Sequence, residues 1–133
     1  MIGIDTNVLV RLLVGDDVAQ LETVRAILAS QEGRPIMINL LVLTKAVWVL
    51  GKLKRPTAPT IPEVVEMLLA SPDFLLEARD DVVRALEAAG AAKCDLADAL
   101  IACRNRSLGC DTTVTFDHAA SRLADATIAT EFS

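Results

Sequence analysis

The sequence predicts one domain of the α/β class, a three-layer sandwich whose central parallel sheet of about four or five short strands is flanked by helices. Three observations lead there. Short apolar runs alternate with longer stretches of helical periodicity from end to end, the pattern of parallel crossovers. The chain of 133 residues is long enough for a single domain, 1–133, with its own core. Finally, 53% of residues are hydrophobic but only 3% aromatic, so that core is built from Leu, Val, Ile and Ala.

The elements follow in order. MIGI is a short apolar run ended by Asp5 and reads as a buried strand. TNVLVRLLVG has helical spacing, and Gly15 can stop it. DVAQLETVRAILASQEG is an amphipathic helix with Gly33 beyond its end. PIMI is a second strand, after which Asn39 can cap a helix carrying Lys45 and Trp48. Pro56, Pro59 and Pro62 mark a turn-rich connection, with Pro62 near the start of the helix EVVEMLLAS. DFLLE is strand-like and RDDVVRALEAAG helical. DLADALIACRNRSLG is a helix opening on Asp95 and closing at Gly109. TTVTF is a strand stopped by Asp117, HAASRLA a short helix, and ATIAT a last strand.

Composition removes several function classes. The longest apolar candidate, Ile36 to Leu50, is broken by Asn39, Thr44 and Lys45, so no membrane span is expected. The opening MIGIDTN has an acid where a secretory leader carries bases. Cys94, Cys103 and Cys110 form no CxxC pair and have one histidine, His118, to join them. That speaks against zinc and a disulfide framework, and for helix thiols in a reducing cytoplasm. A net charge of −5 gives no bulk attraction for nucleic acid, so a polyanion partner needs a local device such as a metal or a basic rim. The basic run Lys52–Arg55 reads as a solvated helix end, as do Arg11, Arg104 and Arg106 on their helix faces, although these three can also border a phosphate path.

In α/β sheets, functional groups gather beyond the carboxyl ends of the strands. Asp5 ends the first strand and Asp117 the strand TTVTF, while Asp95 and Asp98 share one face at a helix start. If the strands are adjacent, these carboxylates converge, raise one another's pKa, and suit Mg²⁺ or Mn²⁺. Such a site activates water and neutralises a phosphate. Each acid also has a structural reading: Asp5, Asp95 and Asp117 as helix caps, and Asp98 as a partner of the helix dipole.

IGIDTNVLVRLL, DLADALIA and TVTFD together resemble the PIN-domain family, most nearly the VapC-type toxins of prokaryotic toxin–antitoxin pairs. The resemblance runs along nearly the whole chain. It implies a metal-dependent endoribonuclease that uses Mg²⁺ or Mn²⁺ and cuts tRNA or ribosomal RNA. It also implies a cognate VapB-type antitoxin, a homodimer that assembles with that antitoxin into heterotetramers or larger complexes, and operator DNA bound only through the antitoxin. By position, Asp5, Asp98 and Asp117 match the family's metal-holding acids, with Asp95 a frequent extra acid. Thr6, Asn7 and Thr115 match polar positions that hold hydrogen bonds around the acids, although capping explains Thr6 as well.

The remaining family acid, a glutamate before VWVL, is replaced by Lys45. At helical spacing Lys45 shares a stripe with Leu41 and Trp48, which is expected to withdraw it from water unless a charge holds it. The carboxylate cluster is the partner expected. An ammonium there shifts the local charge by two units and is expected to weaken metal binding and impair cleavage. The alternatives are a Lys45 that reaches solvent, and a non-catalytic PIN protein that binds antitoxin or RNA without cutting. A phosphatase-like reading with Asp5 as nucleophile wants a second acid two residues on, where Asn7 stands.

Overall fold

A computed structural model describes residues 1–53 and 59–131. Lys54, Arg55 and Pro56, from the basic run and the proline-rich connection, lie outside them. The chain is organised as two compact units, Met1–Glu77 and Ala78–Ser133.

The first unit opens with the MIGI run, which forms a single parallel bridge between Gly3 and Met37 rather than a strand. Met37 N–H donates to Ile2 O at 2.9 Å and Ile4 N–H to Met37 O at 3.3 Å. Helix α1 (Thr6–Val14) then starts on Asp5, whose carboxylate accepts from Val8 N–H. It stops at Gly15, whose φ of 66° is the left-handed conformation that a Cβ disfavours. Helix α2 (Val18–Ser30) is capped by Asp17 in the same way. Strand β1 (Ile36–Ile38) leads into α3 (Leu40–Lys52), where Asn39 accepts from Val42 N–H. Helix α4 (Ile61–Ala70) begins with a capping box between Thr60 and Glu63, with Pro62 in its first turn, and strand β2 (Phe74–Leu76) pairs parallel with β1.

Helix α3 packs on α1 and α4, burying Leu43, Ala46, Val47 and Leu50 beside Leu9, Ile36, Ile38 and Val65. Each Leu, Val and Ile among them contributes about 1.5–3 kcal/mol of burial. Its opposite stripe faces solvent. Leu41 is 82% and Trp48 57% exposed, and Lys45 between them is exposed too. The expected withdrawal of Lys45 from water is therefore corrected: the packing of α3 is taken up by Leu43, Ala46, Val47 and Leu50, and the lysine lies on the face they leave to solvent. One turn on, Lys52 Nζ lies 5.3 Å from the centre of the Trp48 ring.

The second unit begins with α5 (Arg79–Ala92) packed against α6 (Leu96–Ser107), followed by strand β3 (Thr113–Thr115), a 3₁₀ turn at Ala120–Arg122, strand β4 (Ala126–Ile128) and a second 3₁₀ turn at Ala129–Glu131. Strands β3 and β4 pair parallel. The short helix expected at HAASRLA is a single 3₁₀ turn. Val82, Ala85, Ala99 and Leu100 form the centre of the unit's core. Asp81 is buried with them at 4% exposure, held by Ser107 Oγ, by Arg84 Nη2 at 2.6 Å and by Arg104 Nη1 at 3.5 Å.

The α/β class is as expected: six α-helices and four parallel strands among the described residues. Their ladders form two two-stranded sheets, β1–β2 and β3–β4. The cysteines are free, with Cys103 buried, Cys94 half-buried and Cys110 exposed. Cys94 lies between α5 and α6 and Cys110 beyond α6, so of the three only Cys103 is the helix thiol expected from sequence.

Candidate active site

The acids fall where strands and helices meet, and each unit holds its own set. In the first unit Asp5 is exposed and committed to α1 through its bond to Val8 N–H at 3.1 Å. Thr6 and Asn7 are the first two residues of that helix. Lys45 lies in the middle of α3 and, among the described residues, enters no ion pair.

The second unit brings three acids into electrostatic contact. Asp98 lies in the first turn of α6, half-buried. Burial pushes its carboxyl above the usual range, and the charges of Asp117 and Asp95 push it further. Asp95 occupies the N-cap position of α6, yet its side chain makes no capping bond. The capping reading therefore leaves Asp95 unexplained. Asp117 does cap: its Oδ1 accepts from Ala120 N–H at 3.0 Å, and its own N–H donates to Thr115 Oγ1 at 3.0 Å. Thr115 thus holds the backbone of an acid. Half-buried Cys94 senses the same cluster, its thiol pushed up by burial and then by Asp98 and Asp95.

Among the described residues none of these three acids is in an ion pair, and no group of three His, Cys, Asp or Glu is placed to hold a metal ion. The donor chemistry nevertheless fits a hard divalent cation. Mg²⁺ commonly takes only one or two carboxylates and completes its shell with water. A pair such as Asp98 and Asp117, repelling without a compensating cation, supplies that.

The arginines that the sequence allowed for a phosphate path are all engaged. Arg11 pairs with Asp16 at 3.3 Å, Arg104 with Asp81 at 3.5 Å and Arg106 with Asp125 at 2.8 Å. Sequence reasoning missed two features of the second unit. One is the Asp81 cluster, whose partners lie up to 26 residues away. The other is a cavity of about 150 Å³ whose lining includes Asp98, Ile101, Val114 and Thr115. A signal for the second was present in the alternation of apolar and polar residues along TTVTFD.

The sequence model of the PIN domain matches residues 2–126, and the chain belongs to that family. PIN domains are generally nucleases, usually dependent on a divalent metal. No curated protein and no solved structure matches the chain. Among the described residues no helix is long and apolar enough to cross a membrane.

Proposed function

We propose that this chain is the toxin of a VapBC-type pair: a single PIN domain over 1–133 that acts in the cytoplasm as an Mg²⁺- or Mn²⁺-dependent endoribonuclease on tRNA or ribosomal RNA. The observation that carries the nuclease reading is the raised Asp98 carboxyl beside Asp117 and Asp95, within a chain matched to the PIN family. Asp98 and Asp117 would hold the cation, and Asp5 is the further metal-holding acid that the family pattern implies. When bound, it supplies charge neutralisation at the phosphate and a water acidic enough to attack. Asp95 adds negative charge that favours binding the cation. Thr115 keeps Asp117 in place through the bond to its N–H, while Thr6 and Asn7 flank Asp5.

Lys45 stands where the family pattern has its second acid. Its ammonium replaces a cation-binding carboxylate with a positive charge, and we propose that it impairs cleavage in this chain. The toxin partners follow from the same reading: a VapB-type antitoxin, a homodimer, heterotetramers or larger assemblies, and operator DNA reached through the antitoxin. The Lys45 substitution itself favours a second reading, a non-catalytic PIN protein that binds antitoxin or RNA.

Both readings meet one experiment: cleavage of total cellular RNA with Mg²⁺ and Mn²⁺ by this chain and by Lys45→Glu. Cutting by the glutamate variant alone, stopped by EDTA, is the expected result. Equal cutting by both would remove Lys45 from the site. Silence of both folded proteins across a range of RNAs would favour the binding-only reading.

A further inference from the structure

The chain holds three Phe, one Trp and no Tyr. Against that scarcity Phe116 is 84% exposed, the most exposed large apolar side chain among the described residues. A lone exposed apolar residue is ordinary, so its surroundings decide the matter. Phe116 stands between Thr115 and Asp117. The backbone on either side of it is fixed: Asp117 N–H donates to Thr115 Oγ1, and Asp117 O and Oδ1 accept from Ser121 N–H and Ala120 N–H. The ring is thus presented by an ordered turn, and little conformational freedom is lost when something covers it. Thr115 also lines the cavity it shares with Asp98, Ile101 and Val114, and the last two are themselves exposed. An apolar wall and a carboxylate open onto the same space.

We infer that Phe116 is a stacking platform for an unpaired base of single-stranded RNA, beside the acids of the candidate site. The inference rests on the nuclease reading and names the form of its substrate. A chain of net charge −5 gains little from the phosphates of a polyanion, whereas a base presents a neutral π-face. Aromatic stacking therefore supplies affinity that the protein's acidity does not oppose. Only a base already out of a duplex offers both faces, which selects loops and single strands over paired RNA.

The test measures binding of a short labelled single-stranded RNA in Mg²⁺ by the unaltered chain, Phe116→Ala and Phe116→Trp. The same oligomer with abasic positions, and its duplex, serve as second probes. Phe116→Ala is expected to bind about 5- to 150-fold more weakly, the range of one stacked base. Phe116→Trp should restore binding, and the abasic oligomer should be indifferent to residue 116. Because the side chain is exposed, an unchanged unfolding midpoint is expected for both variants. Equal binding by Phe116→Ala overturns the inference, as does a loss of self-association in that variant with RNA binding intact, which would make the ring a contact between copies. Cleavage by Lys45→Glu separates the two levels. If Lys45→Glu cuts RNA and adding Phe116→Ala leaves KM unchanged, the nuclease stands and the platform falls. If the unaltered chain binds no RNA and Lys45→Glu cuts none, both fall.

Discussion

Replacing Asp81 by Asn removes the charge at the centre of a buried polar cluster in the second unit while keeping the side chain's shape. Ser107 Oγ, Arg84 Nη2 at 2.6 Å and Arg104 Nη1 at 3.5 Å all donate to the carboxylate. A hydrogen bond to a charged group contributes about 1.5–3 kcal/mol. The two guanidinium side chains are 58% and 41% exposed, however, so water recovers most of what they lose and each pair counts for about 0.5 kcal/mol. With the low end of that range for Ser107, the sum is about 2.5 kcal/mol at neutral pH, or about 8–12 °C in Tm for a domain of this size. Asp80→Asn, an exposed neighbour in no ion pair among the described residues, is the control and should fall within about 0.5 kcal/mol of the native chain. The pH dependence is the sharper readout. Burial raises the Asp81 carboxyl, but Ser107, Arg84 and Arg104 outweigh it and hold the group below its usual value of 3.8. The unfolded chain therefore takes up the proton first. The stabilisation is complete above about pH 4 and is lost as pH falls through the folded value. Urea unfolding from neutral to strongly acid pH should show the native and Asn variants converging only at the acid end. A gap that stays constant with pH, or no gap at neutral pH, would refute the reasoning.

Three further outcomes are expected. Asn39→Ala should cost about 1 kcal/mol in urea unfolding because its cap on Val42 N–H is made, whereas Asp95→Ala should cost less than about 0.5 kcal/mol because its cap is not. Gly15→Ala should cost about 1 kcal/mol: its φ is 66°, while Leu21 Cδ2 at 3.5 Å is only ordinary contact for a new Cβ, so the penalty is conformational. Burial and then the charges of Asp117 and Asp95 raise the Asp98 carboxyl, so ionised Asp98 opposes folding above its folded pKa, and that opposition fades as pH drops through it. Asp98→Asn should therefore raise Tm in EDTA, and the further rise that Mg²⁺ or Mn²⁺ gives the native chain should shrink in the variant.

Local rules made much of the fold legible. Asp5 and Asn39 cap their helices, Gly15 ends one and Pro62 sits in the first turn of another, because each satisfies or terminates a backbone within a few residues of itself. What escaped depends on distant partners or on which face of an element is covered. The MIGI run has strand-like composition, yet only Gly3 bridges to Met37. Lys45 sits on a stripe that looks apolar in sequence, but the packing of α3 is taken up by Leu43, Ala46, Val47 and Leu50. Asp81 looks like one more helix acid until Arg104 and Ser107 arrive from α6. At the candidate site the acids were visible from their positions at strand ends and helix starts. The exposure of Phe116 was not, since sequence gives no measure of what fails to cover a side chain.

The solvent-facing stripe of α3 also sets how this protein will look in a fluorimeter. Its single tryptophan is on that stripe, half in water under the Lys52 ammonium, and there is no tyrosine to dilute its signal. Emission will already be shifted to long wavelength in the folded state, so unfolding will move it little and will be followed better by circular dichroism. The same placement makes Trp48 a built-in optical label for α3: whatever covers that helix will shift its emission to shorter wavelength, with no dye attached.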